Sequence, residues 1–331
     1  MIAPVMIVTR KELASLMARA DYLAAVEEAF RADREGRAFS PLPMHIDGDG
    51  GVFHAKGAAF TGDGAYVAIK VNGNFPKNPD LHGLPTIQGA VLLCDARRGS
   101  LLAIVDSIEI TLKRTAAASA LAARYLASKN AHTLLVCGCG DQGRVQAEAL
   151  SDVCVFERGY AFDHDRKRAA VIAEEMQRAL GFSFKAVDDF SKVSRKSDVI
   201  VTCTTASDPF LTSAHVSPGT FIAAVGADSP YKSEISPDLM ASAKIVVDVR
   251  EQCAEMGDLR AALATGAMSA SDVHAELGEV VTGEKPGRAS DREVIIFDST
   301  GTALQDVTST AMAYERALQT KDYRSVALGA L

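Results

Sequence analysis

The chain has 331 residues, 48% hydrophobic and 23% charged, with a formal net charge of −7 at pH 7. These values exclude a disordered or fibrous protein, and the length allows two domains of ordinary size. The acidic balance, with no dense run of lysine and arginine, excludes the electrostatic footprint of a nucleic-acid binder.

The first residues, "MIAPVMIVTRKELASLMARA", lack a basic segment followed by an apolar core and a cleavage site. No window approaches the roughly 18 apolar residues of a membrane span, so a cytoplasmic protein without membrane partners is expected. Apolar positions at helical spacing (Leu13, Leu16, Met17, then Leu23, Val26, Phe30) predict two short helices between residues 10 and 35. The period then shifts to two. In "AYVAIKVNG" the alternation sets Val67, Ile69 and Val71 on one face and Tyr66, Ala68, Lys70 and Asn72 on the other. "AVLLCD" and "LLAIVD", joined by "ARRG", read as a β-hairpin.

From about residue 111 an alanine-rich helix, "TLKRTAAASALAARYLAS", leads into short apolar strands: "HTLLVCG", "GYAFD", "SFKAV", "DVIVTCT", "TFIAAVG", "KIVVDV" and "VIIFDS". Amphipathic helices such as "RKRAAVIAEEMQRAL" separate them, which predicts an α/β, doubly wound domain whose parallel sheet is covered on both faces. The tail helix, "GTALQDVTSTAMAYERALQT", has nothing after it to pair with that sheet and is expected to pack on the first domain. Six cysteines (Cys94, Cys137, Cys139, Cys154, Cys203, Cys253) lie scattered without a C-x-x-C pair, most in apolar runs. They read as buried free thiols, with no metal site.

"LLVCGCGDQGRV" carries a Gly-x-Gly-x-x-Gly pattern, which is weak alone and strong in the right setting. Here "HTLLV" supplies the strand before it, "QGRVQAEAL" the helix after it, and Asp163, closing "GYAFD", the acidic residue ending the next strand. Gly138, Gly140 and Gly143, with Asp141 and Gln142 between them, would cradle a pyrophosphate on the N-terminal amides of that helix. Asp163 would accept from the ribose hydroxyls and repel a 2′-phosphate, so NAD is expected rather than NADP, although Arg166 follows closely.

Three further residues could do chemistry. Arg114 reads as lying in the first turn of its helix, where a cation opposes the macrodipole and calls for an offsetting anion, either a bound carboxylate or a structural partner. Lys70 lies opposite the apolar face of its strand, and on the residues alone a solvated lysine is expected. Asp228 follows "TFIAAV" at the carboxyl end of a sheet strand, where doubly wound folds bind ligands; a proton carrier or a turn residue fits equally.

Taken together, "AIKVNGNFP", "GLPTIQGAVLLCD", "ITLKRTAAASALAARYLA", "VCGCGDQGRVQ", "AAVGADSPYKSEI" and "FDSTGTALQDV" resemble the ornithine cyclodeaminase/μ-crystallin family, collinearly from about residue 66 to 315. The resemblance implies a substrate-binding and dimerisation domain built from both chain ends (1–115 and 305–331), of α+β type, and a Rossmann-type NAD-binding domain (116–304). It implies that Lys70, Thr86 and Arg114 hold a substrate carboxylate, that Asp228 is the catalytic acid/base, and that the protein is a homodimer acting on a small amino acid or imine. Two positions depart from the family pattern. His45 in "PLPMH" stands where an arginine is common, and His54 or Lys56 in "FHAKG" where ornithine cyclodeaminases carry a glutamate. A pocket for a diamino acid's ammonium would thereby lose an acidic partner and gain a possible cation, so His45, His54 and Lys56 are expected to set specificity, for a substrate with an extra anionic or neutral polar group.

The expected chemistry is ornithine cyclodeaminase-like: hydride removal to an α-imine, cyclisation with loss of ammonia, and return of the hydride. The alternatives are an NAD(P)-dependent amino-acid dehydrogenase or ketimine reductase, which stops after one hydride transfer, and a non-catalytic crystallin-like binding protein.

Overall fold

In the computed structural model, which describes residues 4–41, 43–321 and 323–328, strand β1 (Val5–Val8) runs into helix α1 (Arg10–Leu16). The turn between them is fixed by a capping box, in which the Thr9 amide and hydroxyl donate to Glu12 Oε2 at 2.7 and 2.5 Å. There follow α2 (Arg19–Arg34), β2 (Ala38–Phe39), β3 (Met44–Gly48), β4 (Gly51–Thr61), β5 (Ala65–Asn74), α3 (Asn78–His82), β6 (Ile87–Asp95), β7 (Leu101–Asp106) and α4 (Ser107–Leu126). The two opening helices and the β6–β7 hairpin form as their spacing predicts. Helix α4 starts earlier than its alanine run suggests, because Asp106 Oδ1 accepts from the amides of Ile108 and Glu109 at 3.1 and 2.8 Å. Arg114 therefore lies about two turns in, beyond reach of the N-terminal dipole, and the first-turn penalty expected for it does not arise.

The chain continues through β8 (Thr133–Cys137), α5 (Asp141–Ser151), β9 (Arg158–Phe162), α6 (Arg166–Leu180), β10 (Ser183–Ala186), α7 (Ser191–Ser194), β11 (Val199–Thr202) and β12 (Phe221–Ala224). Then come α8 (Pro237–Ser242), β13 (Lys244–Val247), α9 (Arg250–Met256), α10 (Asp258–Ala264), β14 (Ala275–Glu276), α11 (Leu277–Val281), β15 (Ile295–Asp298), α12 (Ala303–Thr320) and β16 (Arg324–Val326). By contact the chain divides into two units, Met1–Arg114 with Thr302–Leu331, and Thr115–Gly301.

The first unit holds a sheet in the order β16-β1-β7-β6-β5-β4-β2, with β3 on β4. Pairing is antiparallel except between β1 and β7. Helix α12 packs on α2, β4 and β5, as expected for the tail helix. A short strand does follow it, however: β16 pairs with β1.

The second unit is a sheet of parallel strands in the order β10-β9-β8-β11-β12-β15-β13-β14. Every residue of β8, β11, β12 and β15 is buried, which is why these segments read as unbroken apolar runs. The strand order reverses at β8, the switch point at which such sheets bind ligands.

The connections at that end of the sheet are held by buried carboxyl groups. Asp298 accepts from the amides of Asp258 and Leu259 at 3.3 and 2.9 Å and so anchors the start of α10. Asp258 Oδ1 in turn accepts from the amides of Glu234 and Ile235 and from the Ser233 hydroxyl, at 2.8, 3.0 and 3.1 Å. Replacing Asp298 with alanine strands two buried amides and is expected to cost about 1–3 kcal/mol for each, seen as a lower urea midpoint. Asp298→Asn keeps one of the two acceptor oxygens and should cost less than the alanine variant; equal losses would show that the retained acceptor does not matter.

Candidate functional site

In the first unit the inward face of β5 carries the candidate substrate residues. Lys70 is 4% exposed, so the solvated lysine expected from the alternation alone is not what forms; Ile69 and Val71, on the apolar side, are the exposed ones. The Lys70 ammonium lies 2.6 Å from Asp306 Oδ2 and donates to Thr111 Oγ1 at 3.3 Å. Arg114 Nε reaches Asp306 Oδ1 at 3.1 Å, and its Nη1 donates to Gln305 Oε1 at 2.9 Å. One buried carboxylate thus holds two buried cations.

Burial lowers the Lys70 pKa to about 8; Asp306 opposes this, while Arg114 and Lys56 add to it. Burial also works against an ionised Asp306, but the Lys70 and Arg114 charges outweigh it and hold that carboxyl below its ordinary range.

The same face continues outward along the ladder. Lys56 on β4 stands directly opposite Lys70, and His54 stands opposite Asn72. His45 on β3 faces His54, with their Nδ1 atoms 2.7 Å apart and the rings edge to face. The Asn72 side-chain oxygen is buried without a hydrogen-bond partner among the described residues. Its amide lies over Gly89, where an added Cβ would collide with it. Lys70, Arg114, Lys56, His54 and His45 are therefore gathered on one surface. Thr86 lies in the connection before β6, its carbonyl accepting from the Phe75 amide at 2.8 Å.

In the second unit the three glycines have distinct reasons to be glycine. Gly138 has φ +104°, and a Cβ there would press on the Cys203 carbonyl at 2.6 Å. At Gly143 a Cβ would run into the Gly138 carbonyl oxygen, so the close approach of α5 to the loop after β8 requires its absence. At Gly140 an added Cβ would meet nothing within 4 Å, so open space faces this part of the loop. Asp141 and Gln142 form the first turn of α5, with Gln142 Oε1 accepting from Gln146 Nε2 at 3.4 Å. Asp163 follows β9; its two oxygens accept from the amides of Cys139 and Asp165 at 2.7 and 2.8 Å. Arg166 pairs with Asp188 at 3.2 Å.

Asp228 lies four residues beyond β12, with a side chain 56% exposed and Oδ1 2.7 Å from Lys232 Nζ. Behind it stands a residue that sequence reasoning missed. Glu234 is fully buried, accepts from the amide and hydroxyl of Thr204 at 2.6 and 2.7 Å, and accepts from the Gly226 amide at 2.9 Å. It ties together the segments leaving β11 and β12. Burial, with the Asp258 charge adding, pushes its pKa up to about 7.

Asp306 was missed as well. Its signal was a carboxylate within "ALQDVTSTAMA", a helix whose residues from Ala303 to Ala311 are all buried. All six cysteines are free; Cys137, Cys139 and Cys253 are buried and the others half-buried. Among the described residues no group of three or more His, Cys, Asp or Glu could hold a metal, and no helix is long and apolar enough to cross a membrane.

The model of the ornithine cyclodeaminase/mu-crystallin family matches residues 4–321. The chain belongs to this family. It is 38% identical to the alanine dehydrogenase of Archaeoglobus fulgidus over 314 residues, 95% of each chain. Its fold is similar to that of an archaeal alanine dehydrogenase dimer solved with bound NAD (TM-score 0.94, 36% identity, 99% of this chain and 100% of the other). It is also similar to the Δ1-pyrroline-2-carboxylate reductase of Thermococcus litoralis, solved with NADH and L-proline (TM-score 0.93, 32% identity, 97% and 100%).

Removing Asp306 leaves two buried cations uncompensated. Asp306→Ala is expected to lose about 3–5 kcal/mol of stability in denaturant unfolding. A loss below about 1 kcal/mol would mean that the Lys70–Asp306–Arg114 cluster does not hold the unit together.

Proposed function

We propose that the protein is an NAD-dependent oxidoreductase interconverting a small L-amino acid and its α-imine, with Lys70, Arg114 and Thr86 holding the substrate carboxylate. The observation that carries this reading is the charge balance of the buried cluster, in which Lys70 and Arg114 share a single carboxylate. Buried excess positive charge favours an anion, and a guanidinium with an ammonium suits a carboxylate.

The second unit fits a dinucleotide. Open space at Gly140, the amides that begin α5 and the carboxylate of Asp163 supply a pyrophosphate cradle and a ribose acceptor. Asp163 and the engagement of Arg166 by Asp188 favour NAD over NADP. When bound, the nicotinamide supplies the hydride chemistry.

The chain's own residues do the rest. Lys70 and Arg114 fix the carboxylate and so orient the α-carbon. Asp228 takes the amine proton in the oxidative direction and returns it in the reductive one, with Lys232 2.7 Å from its Oδ1. Similarity to a dehydrogenase and an imine reductase favours a single hydride transfer over the full cyclodeaminase cycle. The intact cation cluster and Asp228 argue against a crystallin-like binding role.

We further propose a cytoplasmic homodimer. The outward face of β3, β4 and β5 exposes Met44, Ile46, Phe53, Ile69 and Val71, an apolar patch suited to a second copy.

With ammonia, an α-keto acid and NADH, stoichiometric NADH consumption is expected. Ammonia released from a diamino acid without net NADH would instead establish cyclodeamination. Asp228→Asn should lower turnover at least a hundredfold while the protein stays folded and still binds NADH; near-normal turnover would remove Asp228 from the mechanism.

Lys70 must be charged to hold a carboxylate, so kcat/KM should fall as pH rises through about 8, the value to which burial lowers it in the free protein. A bound carboxylate favours the charged form, so kcat should hold to higher pH. A kcat/KM flat from about pH 7 to 9.5 would contradict the role given to Lys70.

A further inference from the structure

We propose that Gln305 is a positioning residue: it holds Arg114 for the substrate carboxylate through an acceptor that carries no charge, and so preserves the unmatched cation on which that carboxylate depends. This rests on the carboxylate reading above and names a residue that sets its strength. Gln305 lies in the first turn of α12, immediately before Asp306, and is fully buried. Its Oε1 accepts from Arg114 Nη1 at 2.9 Å, while Asp306 Oδ1 accepts from Arg114 Nε at 3.1 Å. Two separate donors of the planar guanidinium are thereby held, which fixes its orientation and leaves its remaining N–H groups for a ligand.

On stability alone an amide is a poor choice here. The Gln305 Nε2 is buried with no hydrogen-bond partner among the described residues, a cost that a carboxylate would not carry. The amide cannot turn over to relieve it, because that would set an N–H group against the guanidinium donors. Three local conditions favour a glutamate instead. The position is N3 behind the Thr302 N-cap, the place of the acid in a capping box. It lies in the first turn of its helix, where the dipole favours negative charge. It also faces a guanidinium, which pairs more strongly with a carboxylate than with an amide.

Charge balance supplies the reason for the amide. Lys70 and Arg114 share the single carboxylate of Asp306. A glutamate at the neighbouring position would set two carboxylates against the two cations and leave no charge for a substrate carboxylate to offset. Glutamine keeps the hydrogen bond to Arg114 and withholds the charge. The locally unfavourable residue is therefore the one that keeps the cluster able to take an anion.

The test measures propionate binding to the full-length protein by calorimetry, with urea midpoints alongside. Gln305→Glu is expected to weaken propionate binding by about tenfold or more while the urea midpoint stays unchanged or rises; a merely structural residue would lower affinity and midpoint together. With pyruvate, ammonia and NADH, the loss should appear in KM, by about tenfold, and hardly in kcat. Gln305→Met, neutral but without the acceptor, should keep propionate affinity within about threefold of the wild type. Unchanged propionate affinity in Gln305→Glu, or equal losses in the two variants, overturns the proposal. If Gln305→Glu does not fold, Gln305→Met decides: retained affinity upholds the proposal and a loss of about tenfold overturns it. Wild-type protein that fails to bind propionate removes the carboxylate reading, and this role with it. If propionate binds with the expected dependence on Gln305 but no keto acid is reduced, the redox reading fails and the role of Gln305 stands.

Discussion

The first unit depends on one carboxylate. Asp306, 1% exposed, is shared by Lys70 and Arg114, and a charge so deeply buried persists only when it is paired. Arg114 and Asp306 are 192 positions apart in the chain, so this contact fastens α12, near the end of the sequence, to β5 and α4. It explains why the unit is assembled from both chain ends. The arrangement is asymmetric in charge, two cations to one anion, and the proposed substrate carboxylate would offset that asymmetry.

The second unit uses carboxyl groups in the opposite way. Glu234, Asp258 and Asp298 are held mainly by backbone amides, and burial raises the pKa of all three. Asp298 fixes the start of α10, Asp258 at that start fixes the Ser233–Ile235 segment, and Glu234 fixes the connections after β11 and β12. The segment carrying Asp228 is thus anchored at Gly226, two residues before it, while the Asp228 side chain remains exposed. Structural acids are buried, and the acid proposed to carry protons is the one left accessible.

Much of this was legible in the sequence. The change of period from helical to two and back to strand–helix alternation gives the elements, and the glycine loop in its strand–helix setting gives the loop after β8 with Gly138, Gly140 and Gly143, and Asp163 after β9, as the proposed nucleotide site. The side of β5 that is covered was not legible. Alternation in "AYVAIKVNG" says that two faces differ, and the default is to bury the apolar one; here α12 and its carboxylate cover the polar face instead. The start of α4 was misplaced because its cap, Asp106, belongs to the preceding strand. Asp306 and Glu234 escaped notice because each takes its meaning from residues far off in sequence or in a neighbouring loop, which spacing along the chain does not record.

The inversion of β5 links the proposed substrate site to the proposed dimer. Successive residues of a strand point to opposite faces, so Lys70 and Asn72 can turn inward only if Ile69 and Val71 turn outward. A strand that spends its covered face on cations must hide its hydrophobic side chains elsewhere, and a second copy of the same sheet is an economical cover. The nine- and ten-residue ladders that bind β5 to β6 and β4 hold this choice in place, because a slip of one residue would exchange the two faces. It would expose Lys70 to water and drive Ile69 against Asp306. The register of a single strand therefore sets both which surface is proposed to bind a carboxylate and which is proposed to bind another subunit.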